Sequence, residues 1–200
     1  MTPQFGSLTS TLDLSPQTRL PNSSDHFVEF YEDDSILTQS LHRFFSVGLS
    51  KGEASIVVAT SDHRKALEES LAGDGLDLQA AREANLFTAM DAADTLAVFM
   101  EDGVPNPEVF AEVLGNVIDR ASAGNRKVRI FGEMVALLWS KGNVTGALRL
   151  EDLWNSLAES RHFKLFCAYP TESFSGRNLA PLRSVCHRHT HVIAAEQTAI

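Results

Sequence analysis

Two cysteines, Cys167 and Cys186, in a chain of 200 residues are too few for a disulfide framework. No apolar run approaches the roughly 18 residues that a membrane-spanning helix needs. The first residues lack a charged segment followed by an apolar core, so no signal peptide is expected and the cytoplasm is the default location. Cationic side chains are scarce as well: 17 Lys and Arg stand against 26 Asp and Glu, a formal charge of −9. Binding to nucleic acid needs clustered Lys and Arg to neutralise phosphates. The short cluster Arg126-Lys127-Val128-Arg129 reads as the solvated flank of a strand, so a nucleic-acid surface is not expected. Twelve Gly and seven Pro are too dispersed for fibrous or low-complexity material.

Hydrophobic residues, 44% of the chain, are enough for one ordinary domain to bury its core without staples. Residues 1–24, rich in Ser, Thr and Pro, read as a flexible leader, residues 25–192 as the domain, and residues 193–200 as a tail. Inside the domain, apolar runs alternate with helical patterns. Strands are expected at 26–31, 54–60, 85–90, 127–132 and 163–169. Ala54-Ser-Ile-Val-Val-Ala-Thr60 shows no polar alternation, as in a strand covered on both faces. Asp33-Asp34-Ser35 and Ser61-Asp62 supply capping chemistry for helices, and further helices are expected at 92–100, 107–118, 134–140 and 144–159. The pattern predicts an α/β fold, a mostly parallel sheet of about five strands with helices on both faces, in one domain.

Several motifs in order then become recognisable: His26-x-x-x-Phe30-Tyr31-x-Asp33, Gly52-Glu53 before a strand, and Thr60-x-x-His63. Phe131-Gly-Glu-Met134, Leu137-Leu-Trp139, Leu150-Glu-x-x-Trp154, Phe166-Cys-Ala-Tyr-Pro170 and Cys186-His187 follow. Together they resemble the MEDS family of sensory domains across residues 25–192. The resemblance implies an input module of prokaryotic signal transduction, similar to the domain of a regulator that responds to dichloromethane. It implies sensing of simple hydrocarbon derivatives, and a partner such as a histidine kinase or a transcription regulator. It also implies a RecA-like, KaiC-like three-layer core. A nucleotide-binding version would need a glycine-rich turn ending in Gly-Lys-Ser/Thr after the first strand. Here the turn is Tyr31-Glu32-Asp33-Asp34-Ser35, with three carboxylates where a triphosphate would lie. No enzymatic activity and no cofactor are therefore expected. The competing readings are a residual nucleotide or metal-dependent hydrolase, and a scaffold without a ligand.

Ligands of open α/β sheets bind beyond the carboxyl ends of the strands. That rule nominates Tyr31, Glu32, Asp33, Thr60, His63, Asp91, Glu133 and Tyr169 as one ligand-binding set. Glu133 ends an apolar strand, where a carboxylate requires a partner, and is read as ligand-facing or as the partner of His63. Tyr31 and Tyr169 are read as an aromatic wall or as core, and Trp139 and Trp154 as core or interface anchors. His26, at the opposite end of its strand, is expected to make a structural hydrogen bond. Cys186, His187, His189 and His191, with Cys167, have metal-ligating chemistry but match no closed-site spacing, so no metal is assigned. The apolar faces of the helices at 109–118 and 144–157 are expected to dock a partner or form a homodimer.

Overall fold

The computed structural model describes residues 25–174 and 180–193. In chain order the elements begin β1 (His26–Tyr31), α1 (Asp34–Leu49), β2 (Ala54–Ala59), α2 (Ser61–Gly73), α3 (Leu78–Glu83) and β3 (Phe87–Asp91). They continue through α4 (Ala92–Phe99), a hairpin of β4 (Met100–Glu101) and β5 (Val104–Pro105), α5 (Pro107–Ala121) and β6 (Val128–Gly132). The described residues finish with α6 (Met134–Ser140), α7 (Val144–Ser160), β7 (Phe163–Pro170), a 3-10 turn at Thr171–Phe174, α8 (Ala180–Cys186) and β8 (His191–Ile193).

Among the described residues six parallel strands form the central sheet, in the order β3-β2-β6-β7-β1-β8. All six residues of β2 are buried, which accounts for its unbroken apolar run. Two apolar cores lie on opposite faces. One packs Val28, Ile56, Val58, Ile130, Leu165 and Cys167 of the sheet against α4, α5, α6 and α7. The other packs Tyr31, Val57, Phe131 and Phe166 against Leu37, Leu41 and Phe45 of α1 and Leu67 and Leu71 of α2. The expected α/β sandwich is present, with one more strand in the sheet than the five anticipated. The expected leader (1–24) and most of the tail lie outside the described residues.

Two sequence expectations need correction here. The apolar faces of the 109–118 and 144–157 helices are not free: Phe110, Leu114, Val117 and Ile118 of α5, and Leu150, Leu153, Trp154 and Leu157 of α7, are buried in the first core. An amphipathic pattern reports that a face is covered, not whether sheet or partner covers it. The strand β8 was not anticipated, because three residues carry too little periodicity. It is held instead by Thr190, whose hydroxyl accepts from the His26 amide at 2.7 Å and donates to the His26 carbonyl at 2.8 Å. Among the described residues no helix is long and apolar enough to cross a membrane.

Candidate functional site at the carboxyl edge of the sheet

At the carboxyl ends of β2 and β6, two helix-capping positions give up their usual role. Thr60 precedes α2 and Glu133 precedes α6, yet neither side chain caps its own helix. Each reaches the other instead. The buried Glu133 carboxylate accepts from the Thr60 amide at 2.7 Å, from the Thr60 hydroxyl at 3.1 Å, and from His63 Nδ1 at 2.8 Å. This satisfies a desolvated charge that would otherwise be costly. On its other side His63 Nε2 meets Asp34 Oδ1 at 3.3 Å, and Tyr31 packs edge-on against the imidazole. The hydrogen bond to Glu133 raises the His63 pKa; burial opposes this, and Asp34 adds to it. Burial, and then the negative charge of Glu133, push the Tyr31 phenol far up. The result is a relay, Glu133–His63–Asp34, that joins the start of α6 to α2 and to the first turn of α1.

The nominated residues divide. Thr60, His63, Glu133 and Tyr31 converge, and Asp34, one of the three carboxylates of the turn after β1, joins them though it is not among the nominated residues. Glu32 and Asp33 are exposed beside them, and Asp33 caps α1 by accepting from the Ser35 amide at 2.7 Å. With Tyr31, Asp34, Pro170, Thr171 and Glu172 they wall an open depression of about 260 Å³. Asp91 is engaged elsewhere: it caps α4 through the amides of Ala93 and Asp94 and pairs with Arg64 at 2.9 Å. Tyr169 is a correction to the convergent set. Its neighbour across the sheet is Phe30, and Tyr31 is paired with Pro170, so the two tyrosines point to opposite faces. Tyr31 belongs to one core and Tyr169 to the other, where its hydroxyl donates to Glu151 at 2.6 Å. A second depression, of about 290 Å³ and more apolar, lies between α4 and α6 and is lined by Ala93, Leu96, Ala97, Met100, Leu138, Lys141 and Asn143.

Sequence reading missed the surroundings of Tyr169. Glu151 is wholly buried, and His26, Cys167 and His189 gather around it. Burial alone would raise the Glu151 carboxyl, but His189 and His26 outweigh it and hold it far below the usual carboxylate range. Burial, reinforced by Glu151, pushes the Cys167 thiol well up. His26 does make the structural bond expected of it, to Asn155 Oδ1 at 3.1 Å. Of the terminal run, His189 turns inward, whereas His191 is exposed against Asp25.

A KaiC-like protein of the hyperthermophilic archaeon Pyrococcus horikoshii OT3 is similar in structure, with a TM-score of 0.55 at 13% identity over 90% of this chain and 76% of that one. At that identity the likeness shows a shared fold alone. No curated protein matches the sequence. The family model described as the MEthanogen/methylotroph, DcmR Sensory domain matches residues 25–188, and the chain therefore belongs to the MEDS family of sensory domains.

Proposed function

We propose that this sensory domain binds a small organic molecule at the carboxyl edge of the sheet, performs no chemistry on it, and reports occupancy to a partner protein. The observation that supports this reading is the asymmetry of the relay. Its inner half, Glu133 with Thr60 and His63, is buried and short. Its outer half is a 3.3 Å contact to Asp34, whose side chain is 76% exposed, at the rim of the acidic depression. A ligand carrying a hydroxyl, amino or carbonyl group displaces Asp34 from His63 Nε2 and so releases the first turn of α1. That helix carries exposed Ile36 and Val47, which lie on one face because eleven residues are close to three turns. A histidine kinase or transcription regulator, the partners the family resemblance implies, would read the position of that face.

The more apolar depression between α4 and α6 favours a second reading, in which an unsubstituted or halogenated hydrocarbon sits there without touching His63. Saturation-transfer NMR of the full chain with methanol, methylamine and dichloromethane in turn separates the two. The edge reading expects transfer to the polar probes that His63→Gln abolishes. Transfer to dichloromethane alone, abolished by Leu138→Trp, supports the second reading. The acidic turn Glu32-Asp33-Asp34 and the occupied amides at the start of α1 disfavour a triphosphate there. Calorimetric titration with ATP and Mg²⁺ is expected to show no binding, and micromolar affinity would overturn the non-catalytic reading.

A further inference from the structure

Four side chains with the chemistry of metal ligands meet inside the domain, on the face of the sheet opposite Tyr31. They come from four separate segments: His26 from the start of β1, Glu151 from α7, Cys167 from β7, and His189 from the turn between α8 and β8. All four are buried, and one ligand atom from each lies within 4.8 Å of every other. His26 Nε2 is 3.4 Å from both Cys167 Sγ and Glu151 Oε2; His189 Nε2 is 3.4 Å from Glu151 Oε2; and Cys167 Sγ is 3.6 Å from Glu151 Oε2. A tetrahedron with metal–nitrogen or metal–oxygen bonds of about 2.0–2.1 Å and a metal–sulfur bond of about 2.3 Å has edges of about 3.3–3.6 Å. Those four separations are already at that size.

The outer hydrogen bonds orient the donors inward. Asn155 gives its amide N–H to the Arg188 carbonyl at 3.0 Å, so its Oδ1 faces His26 and must accept from Nδ1–H. His189 Nδ1, 2.8 Å from the Val185 carbonyl, is likewise bound to donate. With Nδ1 committed as the donor, the neutral form of either imidazole presents Nε2 to the centre as a lone pair, the tautomer a metal requires, with the outer nitrogen tied to a carbonyl. Tyr169 occupies Glu151 Oε1, leaving Oε2 for the centre. With both imidazoles neutral, two nitrogen lone pairs, a carboxylate oxygen and a sulfur face one another. His189 Nε2 has no hydrogen-bond partner. The His26 and His189 ring centroids are 3.9 Å apart, so two imidazolium charges there would repel strongly. Converging acceptors of this kind are satisfied by a bound metal ion or by protons shared with Glu151, and the near-tetrahedral spacing favours the metal.

We propose that His26, Glu151, Cys167 and His189 form a tetrahedral site for one divalent ion of the zinc class, which fastens the turn before β8 to α7, β1 and β7. Mixed imidazole, thiolate and carboxylate donors suit a borderline-soft ion and not magnesium or calcium. The four protein ligands leave no open position, so the role is structural, and it is independent of the ligand proposed at the opposite edge.

The test is titration of tag-free full-length protein, treated with chelator, with Co²⁺ alone. One equivalent is expected to develop the visible bands of tetrahedral cobalt and a thiolate-to-cobalt charge-transfer band in the near ultraviolet, both bleached by Zn²⁺. Zn²⁺ at a hundredfold excess over its Kd is expected to raise Tm by about 5–10 °C. Cys167→Ser is expected to remove the charge-transfer band, while Cys186→Ser and His191→Ala leave it. Should Cys167→Ser fail to fold, Asn155→Ala tests the same assignment, since it frees His26 to rotate and is expected to weaken cobalt binding by about 10–100-fold. Folded wild type that shows neither the charge-transfer band nor the rise in Tm overturns the proposal. So does a band lost in Cys186→Ser and kept in Cys167→Ser, which would assign the ion to the exposed histidine-rich segment.

Discussion

Glu133→Gln keeps the shape of the relay and removes its charge, and its effect should depend on pH in a direction set by His63. In the wild type, one carboxylate oxygen takes both Thr60 donors and the other takes His63 Nδ1–H. The glutamine carbonyl retains the Thr60 amide bond, so its NH₂ group must face His63. When His63 is neutral, the ring can place its proton on Nε2 toward Asp34 and accept from the glutamine at Nδ1, and the loss is about 1 kcal/mol of charge assistance. When His63 is protonated, Nδ1–H meets NH₂, the charge-assisted bond of about 1.5–3 kcal/mol is gone, and two donors are opposed. The His63 pKa is raised in the folded wild type, chiefly by its bond to Glu133. The stabilisation it brings is therefore complete below the unfolded value of about 6.5 and fades as pH rises through the folded one. Asp34 and Tyr31 also face the ring, but both remain in the variant. Urea unfolding followed by the fluorescence of buried Trp139 and Trp154 should give a wild-type-minus-variant difference of about 2–4 kcal/mol near pH 6 and about 1 kcal/mol near pH 9. Taking the difference cancels His26, whose pKa burial and His189 lower, giving a pH dependence of opposite sign. A difference that is the same at both pH values, or larger at the higher one, refutes the relay.

Two helical glycines should respond oppositely to alanine. At Gly48 in α1 a Cβ would lie 2.6 Å from Arg129 Cδ, and that side chain is pinned by its pair with Glu53 and a 2.9 Å bond to the Phe44 carbonyl; Gly48→Ala is expected to lower stability by about 1–3 kcal/mol in thermal or urea unfolding. At Gly115 in α5 a Cβ meets the tip of the Arg161 side chain at 2.9 Å; Arg161 is held by Asp119 too, but in a solvent-exposed pair that can shift outward, so Gly115→Ala is expected to be neutral or to gain up to about 1 kcal/mol of helix propensity. Tyr169→Phe removes the hydroxyl that satisfies Glu151 Oε1 and is expected to cost about 1–3 kcal/mol in metal-free protein, measured in the same way.

Much of the architecture was legible because it rests on local pattern. The uninterrupted apolar run at Ala54–Ala59 reads as a doubly covered strand, and the helix expected from residue 107 begins at Pro107, with Asn106 accepting from the amides of Glu108 and Val109. Part of the site was legible for the same reason: Thr60, His63 and Glu133 each follow a strand, and adjacent parallel strands bring such positions together. Tyr169 was not, because its assignment to a face depends on strand phase, and a single residue reverses it. The buried tetrad was least accessible, since its ligands lie on β1, α7, β7 and the turn before β8 and meet only in the folded chain. One signal was present all the same. Glu151 lies on the core stripe of its helix with Ala147, Leu150, Trp154 and Leu157, and a carboxylate in such a stripe must have partners inside the protein.

The position of β1 bears on how the chain reaches this state. The first strand of the domain lies between β7 and β8, the last two of the sheet, with His26 in register with Leu165 and Phe27 with His191. About 140 residues separate β1 from its first partner. At about 5–20 residues per second, roughly 7–30 s of synthesis pass before β1 has a strand to pair with. Contacts of such long sequence separation also slow folding once the chain is complete. The aromatic stretch Phe27-Val-Glu-Phe-Tyr31 is thus an unpaired β-prone segment for the whole of that interval, and Glu29 at its centre is a charge that discourages pairing between nascent chains.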